Sequence, residues 1–234
     1  MSKRAVILAG GLGTRLRPYT IAIPKPLMPI GEYPILEIII RQLSRHGFDH
    51  ITMAVNHQAE LIKAFFNDGS KWNLKIDYSL ESKPLGTMGP LNLINDLPEN
   101  FLVMNGDILT DLDYSSFYDS HCKSKNNFTV SSYVREQKNE FGILQTEDNK
   151  IISFQEKPTS VFEVSMGIYA LNKKVVELIP HNTPYGFDQL MLELIKNKTY
   201  PSANKFSGFW LDIGRPDDYV KAIDTFESVK HKFI

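Results

Sequence analysis

AVILAGGLGTRLRPYTIAIPKPLMPI, residues Ala5 to Ile30, decides how the rest of the chain is read. It opens as a continuous apolar run, Ala5 to Ala9, the pattern of a parallel strand covered on both faces. Leu8 and Ala9 lead directly into Gly10, Gly11 and Gly13, and a proline-rich loop then carries Thr14, Arg15, Arg17 and Lys25. A loop that follows the first strand of a parallel sheet lies at the carboxyl edge, where α/β folds bind ligands. Glycines there permit positive φ and close backbone approach, and successive amides form a concavity suited to an anion. Pro24 and Pro26 restrict the backbone on both sides of Lys25, which suits a cation held in position.

Working outward, strands and helices alternate through the first half. Pro34 starts a helix whose apolar residues recur on one face and which Gly47 ends. Ile51–Val55 reads as a strand, Ala59–Phe66 as a short helix and Leu74–Tyr78 as a strand. A loop with Pro84 and Gly86 leads to a helix near Pro90–Ile94, and Phe101–Met104 is a buried strand ending in Asn105-Gly106-Asp107. Repeated βα units imply a parallel sheet with right-handed crossovers. The second half is more mixed. Strands are expected at Phe128–Val134, Gly142–Gln145, Ile151–Glu156, Val164–Ala170 and Gly208–Ile213, with a hairpin around Glu147-Asp148-Asn149-Lys150. Helices are expected at Lys173–Leu178, Phe187–Ile195 and Arg215–Phe226, the last with Pro216 at its first position.

The chain has 234 residues, 42% of them apolar, enough for a sizeable core. With 26 basic and 27 acidic residues the net charge is −1, which argues against a nucleic-acid binder relying on bulk charge and leaves only a local basic patch open. Cys122 is the single cysteine, so no intramolecular disulfide framework or multi-cysteine metal cluster exists; it reads as a free thiol on or under a helix. Met1–Ala9 is too short for a signal peptide, and no apolar run approaches the ~20 residues of a membrane span. A soluble cytoplasmic protein is the expectation.

Two familiar glycine motifs fail. The dinucleotide fingerprint requires a third glycine where Leu16 stands, and no Walker string is present. Asp107, in FLVMNGD, and Asp212, in FWLDIG, each follow a buried strand, where a carboxylate costs free energy unless paired or metal-bound. One such residue is ordinarily a cap or turn former. Two of them beside an anion loop favour Mg²⁺, a hard ion usually held by one or two carboxylates plus substrate phosphates. Asp111 and Asp113 read as loop and N-cap residues, and Asp188 as a first-turn helix residue.

The chain resembles the sugar-1-phosphate nucleotidylyltransferases. Their strand is followed by G-G-x-G-T-R-L-x-P-x-T and then P-K-P-L, matched here by Gly10 through Thr20 and by Pro24-Lys25-Pro26-Leu27. The string G-T-x-G-P-L at Gly86–Leu91 is similar to mannose- and heptose-1-phosphate guanylyltransferases. The resemblance implies a Rossmann-like, glycosyltransferase-A-type α/β fold, with a mostly parallel sheet, helices on both faces and a small antiparallel sugar-binding part. It implies one nucleotidyltransferase domain over 1–234, without the C-terminal left-handed β-helix usual in the mannose enzymes. The reaction it implies joins an NTP, with GTP favoured, to a sugar 1-phosphate of mannose or heptose type, releasing pyrophosphate. UTP, dTTP or CTP with another sugar 1-phosphate or a phosphorylated alcohol is an alternative, and a non-catalytic sugar-nucleotide-binding regulator is another.

By the same resemblance Arg15, Lys25, Asp107 and Asp212 are catalytic, the two aspartates holding Mg²⁺. Leu8, Ala9, Gly10, Gly11, Gly13, Thr14, Gly86 and Thr87 bind the nucleotide. Asn105, Gly106, Gly142, Glu156, Lys157 and Gly167 bind the sugar phosphate, with Lys157 on the phosphate and Glu156 on a hydroxyl. The nucleophile is an ionised phosphate oxygen, so no general base is needed. His46, His50, His57, His121, His181 and His231 accordingly read as ordinary helix, loop or tail residues. Homo-oligomers are common in the family; neither nucleic acid nor membrane is an expected partner.

Overall fold

The computed structural model describes residues 2–56 and 58–233, so His57 lies outside the described residues. In chain order the strands and helices are β1 (Arg4–Leu8), β2 (Pro29–Ile30), β3 (Tyr33–Pro34), α1 (Ile35–Arg45), β4 (His50–Val55), α2 (Ala59–Phe66) and β5 (Lys75–Leu80). They continue with β6 (Asn100–Asn105), β7 (Ile108–Thr110), α3 (Tyr114–Ser124), β8 (Phe128–Lys138), β9 (Ile143–Glu147) and β10 (Lys150–Gln155). The last are β11 (Thr159–Asn172), α4 (Phe187–Lys196), β12 (Ser202–Phe206), β13 (Trp210–Asp212) and α5 (Pro216–Val229).

Seven strands form one sheet in the order β12-β8-β11-β6-β1-β4-β5. β1 pairs in parallel with both β4 and β6, β4 with β5, and β12 with β8; only β11 runs against its neighbours. The chain builds outward from β1 through β4 to β5, then returns to lay β6 on the other side of β1. The carboxyl ends of β1 and β6 therefore diverge at a topological switch point, where open α/β sheets hold their ligands.

Side-chain alternation along β1 divides the core. Ala5 and Ile7 pack with α1, α2, α3 and α5 on one face, while Val6 packs with Phe101, Val103 and the α4 residues Leu190 and Leu194 on the other. The continuous apolar reading of this strand follows from burial on both faces. A fully buried Ile such as Ile39 or Ile40 of α1 contributes about 1.5–3 kcal/mol.

Several expectations are corrected. Residues Gly89–Leu93 form a 3₁₀ turn rather than a helix, because Gly89 and Pro90 open a segment too short for α propagation. Lys173–Leu178 is likewise 3₁₀. The sequence reading missed β7 and β12, whose short or polar strings become strands only through their pairing with β13 and β8. β8 and β11 exceed their expected lengths. Beyond Tyr133 and before Val164 they leave the core as an exposed two-stranded arm carrying the β9–β10 hairpin. That hairpin turns at Asp148 and Asn149, both with positive φ, as a two-residue hairpin loop requires. Asp113 caps α3 through the Ser116 N–H at 2.9 Å, Asp111 accepts from the Phe209 N–H at 2.6 Å, and Asp188 lies in the first turn of α4. Cys122 on α3 is a free thiol. Among the described residues no helix is long and apolar enough to cross a membrane.

Candidate active site

Backbone hydrogen bonds fix the rim of the sheet before any side chain acts. The Ala9 N–H donates to the Ala54 carbonyl at 2.8 Å and the Gly106 N–H to the Leu8 carbonyl at 3.0 Å, so the turns after β1 and β6 are tied together. Above them opens a cavity of 480 Å³. Of the sequence-predicted residues, Leu8, Gly10, Gly11, Gly13, Thr14, Arg15, Lys25, Gly86, Thr87, Asn105 and Asp107 line it. Ala9 is buried and Gly106 packs against the Leu8 carbonyl; neither reaches the cavity wall. The far wall is a turn strapped to Tyr185, whose carbonyl accepts from the N–H groups of Met88 and Gly89 and whose N–H donates to Leu85. Gly86 has φ +76°, and a Cβ there would stand 2.8 Å from the Tyr185 carbonyl oxygen, so glycine is required. The Thr87 hydroxyl accepts from the Phe187 N–H at 2.7 Å, which ties its oxygen to bracing the turn.

Lys25 occupies a single 3₁₀ turn between Pro24 and Pro26, and its ammonium pairs with Asp107 Oδ2. Asp107 Oδ1 is buried with no hydrogen-bond partner. The second carboxylate arrives by strand pairing. β13 runs antiparallel to β7 with Asp212 opposite Ile108, and the Ile213 N–H donates to the Asp107 carbonyl at 3.1 Å. A Cβ on Gly214 would lie 3.5 Å from both terminal nitrogens of Arg15 and from Asp212 Oδ2, so the guanidinium and this carboxylate flank one glycine. Asp212 is open at the cavity mouth, yet partial desolvation raises its pKa, the Asp107 charge raises it further, and Lys25 and Arg15 oppose both. The two aspartates are thus close enough to repel.

A second cavity of 320 Å³ adjoins the first. Asn105 lines both, while Asp107 lines the first and Asp212 the second, so the carboxylates stand at the junction. Gly167 lines it with φ +74°; a Cβ there would meet Asn105 Nδ2 at 2.6 Å. Here the β8–β11 register shifts between Ser165 and Tyr169. Tyr169 and Phe187 stack at 4.7 Å, and the Trp210 indole N–H donates to the Met166 carbonyl at 3.1 Å. Gly142, Glu156 and Lys157 are placed differently. They lie exposed on the arm and line neither cavity, although a Cβ on Gly142 would stand 3.2 Å from Glu156 Oε2.

Residues 4–229 match the model of the nucleotidyl transferase family. The chain belongs to that family. It is 35% identical to a UTP–glucose-1-phosphate uridylyltransferase of Synechocystis, over 94% of this chain and 62% of that protein, so it spans less than two thirds of that relative. It is 32% identical to the D-glycero-alpha-D-manno-heptose 1-phosphate guanylyltransferase of Aneurinibacillus thermoaerophilus, covering 93% of this chain and 96% of that one. The crystal structure of HddC from Yersinia pseudotuberculosis complexed with GMP-PN superposes with a TM-score of 0.73 at 30% identity, covering 96% and 99% of the two chains.

The chain also places residues in the cavities that sequence reasoning missed. Asn56, Glu81, Pro84 and Leu85 line the first and Arg135 the second. Glu81 directly follows β5, but the expected strand ended at Tyr78, so its place at the rim was not legible; Arg135 lies on the exposed extension of β8 beyond the expected end at Val134. The family generally uses a divalent metal ion. The donor set fits one: beside the Lys25 contact to Oδ2, the Asp107 Oδ1 is buried and unpartnered, and Asp212 brings a second carboxylate whose charge the first disfavours, a repulsion that a hard divalent cation would relieve. Among the described residues no cluster of three or more His, Cys, Asp or Glu side chains could hold a metal alone, so the remaining ligands must come from water or substrate.

Proposed function

We propose that this nucleotidyl transferase moves a nucleotidyl group from an NTP to a sugar 1-phosphate and releases pyrophosphate. The observation that carries the reading is the junction. Two cavities meet where Lys25, Arg15, Asp107 and Asp212 converge, one walled by a glycine loop and the other by aromatic rings. An oxygen of the sugar phosphate attacks the α-phosphorus, a new P–O bond forms, and the bond to the bridging oxygen of the β-phosphate breaks, its electron pair leaving with pyrophosphate. The attacking oxygen is ionised at neutral pH, so the obstacle is repulsion between polyanions, and catalysis is positioning and charge neutralisation.

Lys25 neutralises charge at the α-phosphate, and Arg15 holds the departing phosphates through its fork of donors. Asp107 and Asp212 hold Mg²⁺, which supplies positive charge and alignment to the phosphates when bound. Lys157 and Glu156 take the sugar phosphate and a sugar hydroxyl, which requires the arm to approach the second cavity. GTP with a mannose- or heptose-type sugar is favoured by the Gly86–Leu91 string and by the guanylyltransferase relative, and the uridylyltransferase relative keeps UTP as the competitor.

Pyrophosphate release from GTP, UTP, dTTP and CTP, each with mannose, heptose and glucose 1-phosphates and Mg²⁺, tests this. GTP should give the fastest release, and a chelator should abolish it. Silence across the array from a protein that still binds nucleotide would leave a binding protein instead.

A further inference from the structure

The β7–β13 ladder has two ends. At one, Asp107 stands just before β7 and Asp212 closes β13; at the other, Asp111 follows β7 and Phe209 precedes β13. The far end is tied twice by its own residues. The Asp111 N–H donates to the Phe209 carbonyl at 3.1 Å, and the Phe209 N–H donates to Asp111 Oδ1 at 2.6 Å. Two more ties come from the segment after α5. Lys232 pairs with Asp111 Oδ2 at 2.9 Å. Phe233, fully buried, meets the Phe209 ring edge-on at 5.6 Å and lies parallel to the Phe226 ring at 6.2 Å. Phe226 in turn covers Gly31, where a Cβ would stand 3.0 Å from its ring, and the Tyr219 hydroxyl of α5 donates to the Pro29 carbonyl at 2.7 Å. Pro29 and Gly31 continue the proline-rich loop that carries Lys25. Asp111, Lys232 and Phe233 line neither cavity.

We propose that Asp111, Lys232 and Phe233 are positioning residues: they clamp the far end of the ladder and thereby set the separation of Asp107 and Asp212 at its near end. The inference deepens the proposed function and rests on it for the metal ion that the two aspartates hold. Each strand of the ladder has only three residues, and a two-stranded ribbon is marginal by itself. Its near end also carries two carboxylates that repel, which favours splaying. The restraint must therefore come from the far end and from α5. Mg²⁺ demands close to ideal octahedral geometry, so a small shift of β13 against β7 costs affinity. Packing alone would need no charge at position 111, yet Asp111 spends one oxygen on the β13 backbone and the other on Lys232. A partly exposed ion pair of that kind adds little to stability by itself. Its loss should register at the metal rather than in Tm.

The test is calorimetric titration of Mg²⁺ into the full chain, without and with GTP, beside Tm and amide hydrogen exchange. The variants are Asp111→Ala, Asp111→Asn, Phe233→Leu and, as a control, Leu194→Ala on α4 in the opposite half of the core. Asp111→Ala and Phe233→Leu should each weaken Mg²⁺ about 10-fold, the usual worth of a group that orients a metal ligand. Asp111→Asn keeps an oxygen for the Phe209 N–H and should recover most of that loss. Leu194→Ala should lower Tm through its cavity yet leave Mg²⁺ affinity within about 2-fold. Should Asp111→Ala not fold, Phe233→Leu carries the same comparison. Wild-type Mg²⁺ affinity in both clamp variants, or affinity that falls in step with Tm in every variant including Leu194→Ala, overturns the inference. Wild type that takes up no Mg²⁺ under either condition would sink the proposed metal site, and exchange at the Ile213 N–H then decides the clamp. That amide, which donates to the Asp107 carbonyl, should exchange about 10-fold faster in Phe233→Leu and unchanged in Leu194→Ala; equal rates in wild type and Phe233→Leu would overturn the clamp too. Clamp-dependent Mg²⁺ binding without pyrophosphate release from any substrate pair would sink the transferase reading alone.

Discussion

The proposed nucleotide side and the proposed sugar side of this molecule are built differently. The first cavity rests on β1, β4 and β6, whose central residues are fully or nearly fully buried, beside the half-buried edge strand β5, and its turns are held by backbone hydrogen bonds from strand to strand. The sugar side rests on β8 and β11, which begin in the core and end as an arm whose Phe141, Phe154, Val161 and Phe162 are all exposed. Groups that must meet developing charge within a fraction of an ångström belong on the rigid half. Groups that admit and release a sugar can sit on the half with fewer buried contacts, where local opening is less costly. The charged residues follow this division: Lys25, Arg15 and Asp107 line the first cavity, and Glu156 and Lys157 ride on the arm.

If the division is real, the largest loss comes from the rigid half. Lys25→Ala should reduce kcat by about 10²–10³-fold with the fold intact, because a preorganised charge is removed from the site of attack. It also leaves Asp107 without its ammonium partner, so Lys25→Arg, which keeps a cation, is the control for packing. Lys157→Ala should act mainly on KM for the sugar 1-phosphate. Equal losses of kcat from both substitutions would break the comparison, since the arm would then share in the chemical step to the same degree that the rim does.

The rigid half was also the legible half. Lys25 between two prolines, the glycines after β1 and the aspartates after β6 and at the end of β13 are all punctuation of apolar strands, and a strand buried on both faces announces itself in composition. The sugar half hides for a physical reason. β12, Ser-Ala-Asn-Lys-Phe, has no pattern of its own and becomes a strand only by lying against β8. The Glu-Lys-Pro motif is plain in sequence, but where Glu156 and Lys157 stand depends on the angle at which the arm leaves the core, which no local pattern encodes. Arg135 is a further case. It lines the second cavity, and its role is set by a tertiary neighbourhood of Trp210, Tyr169 and Phe187 assembled from distant segments.

Arg135 gives the next, smaller test. It is the one cation among the described residues lining the second cavity, and its guanidinium makes no ion pair or hydrogen bond with the described residues. A guanidinium so placed suits an anionic substrate, and Arg135→Ala should raise KM for the sugar 1-phosphate about 10-fold while leaving KM for the NTP within about 2-fold. Unequal losses from Arg135→Ala and Lys157→Ala would show which cation receives the sugar phosphate, sharpening how far the arm must move.

The smallest effect concerns the junction itself. The folded-state pKa of Asp212 lies above the ordinary aspartate value of 3.8, through partial desolvation first and the Asp107 charge second. The native state therefore holds this proton more firmly than the unfolded chain. Its contribution to stability is fully present below the unfolded pKa and is lost as pH rises through the folded one. Asp77 and Asp113 have lowered values and act in the opposite direction, so total stability is the wrong observable. The difference in Tm between wild type and Asp212→Asn isolates the junction. Without divalent ion, wild type should lose stability relative to the variant as pH rises from about 4 to 7, modestly because the carboxyl is open to solvent. Added Mg²⁺ should reverse the sign at the upper end, since only the ionised pair offers it oxygens. A Tm difference independent of both pH and Mg²⁺ would mean that Asp107 and Asp212 do not share one charge environment, and the junction between the two halves would lose its electrostatic basis.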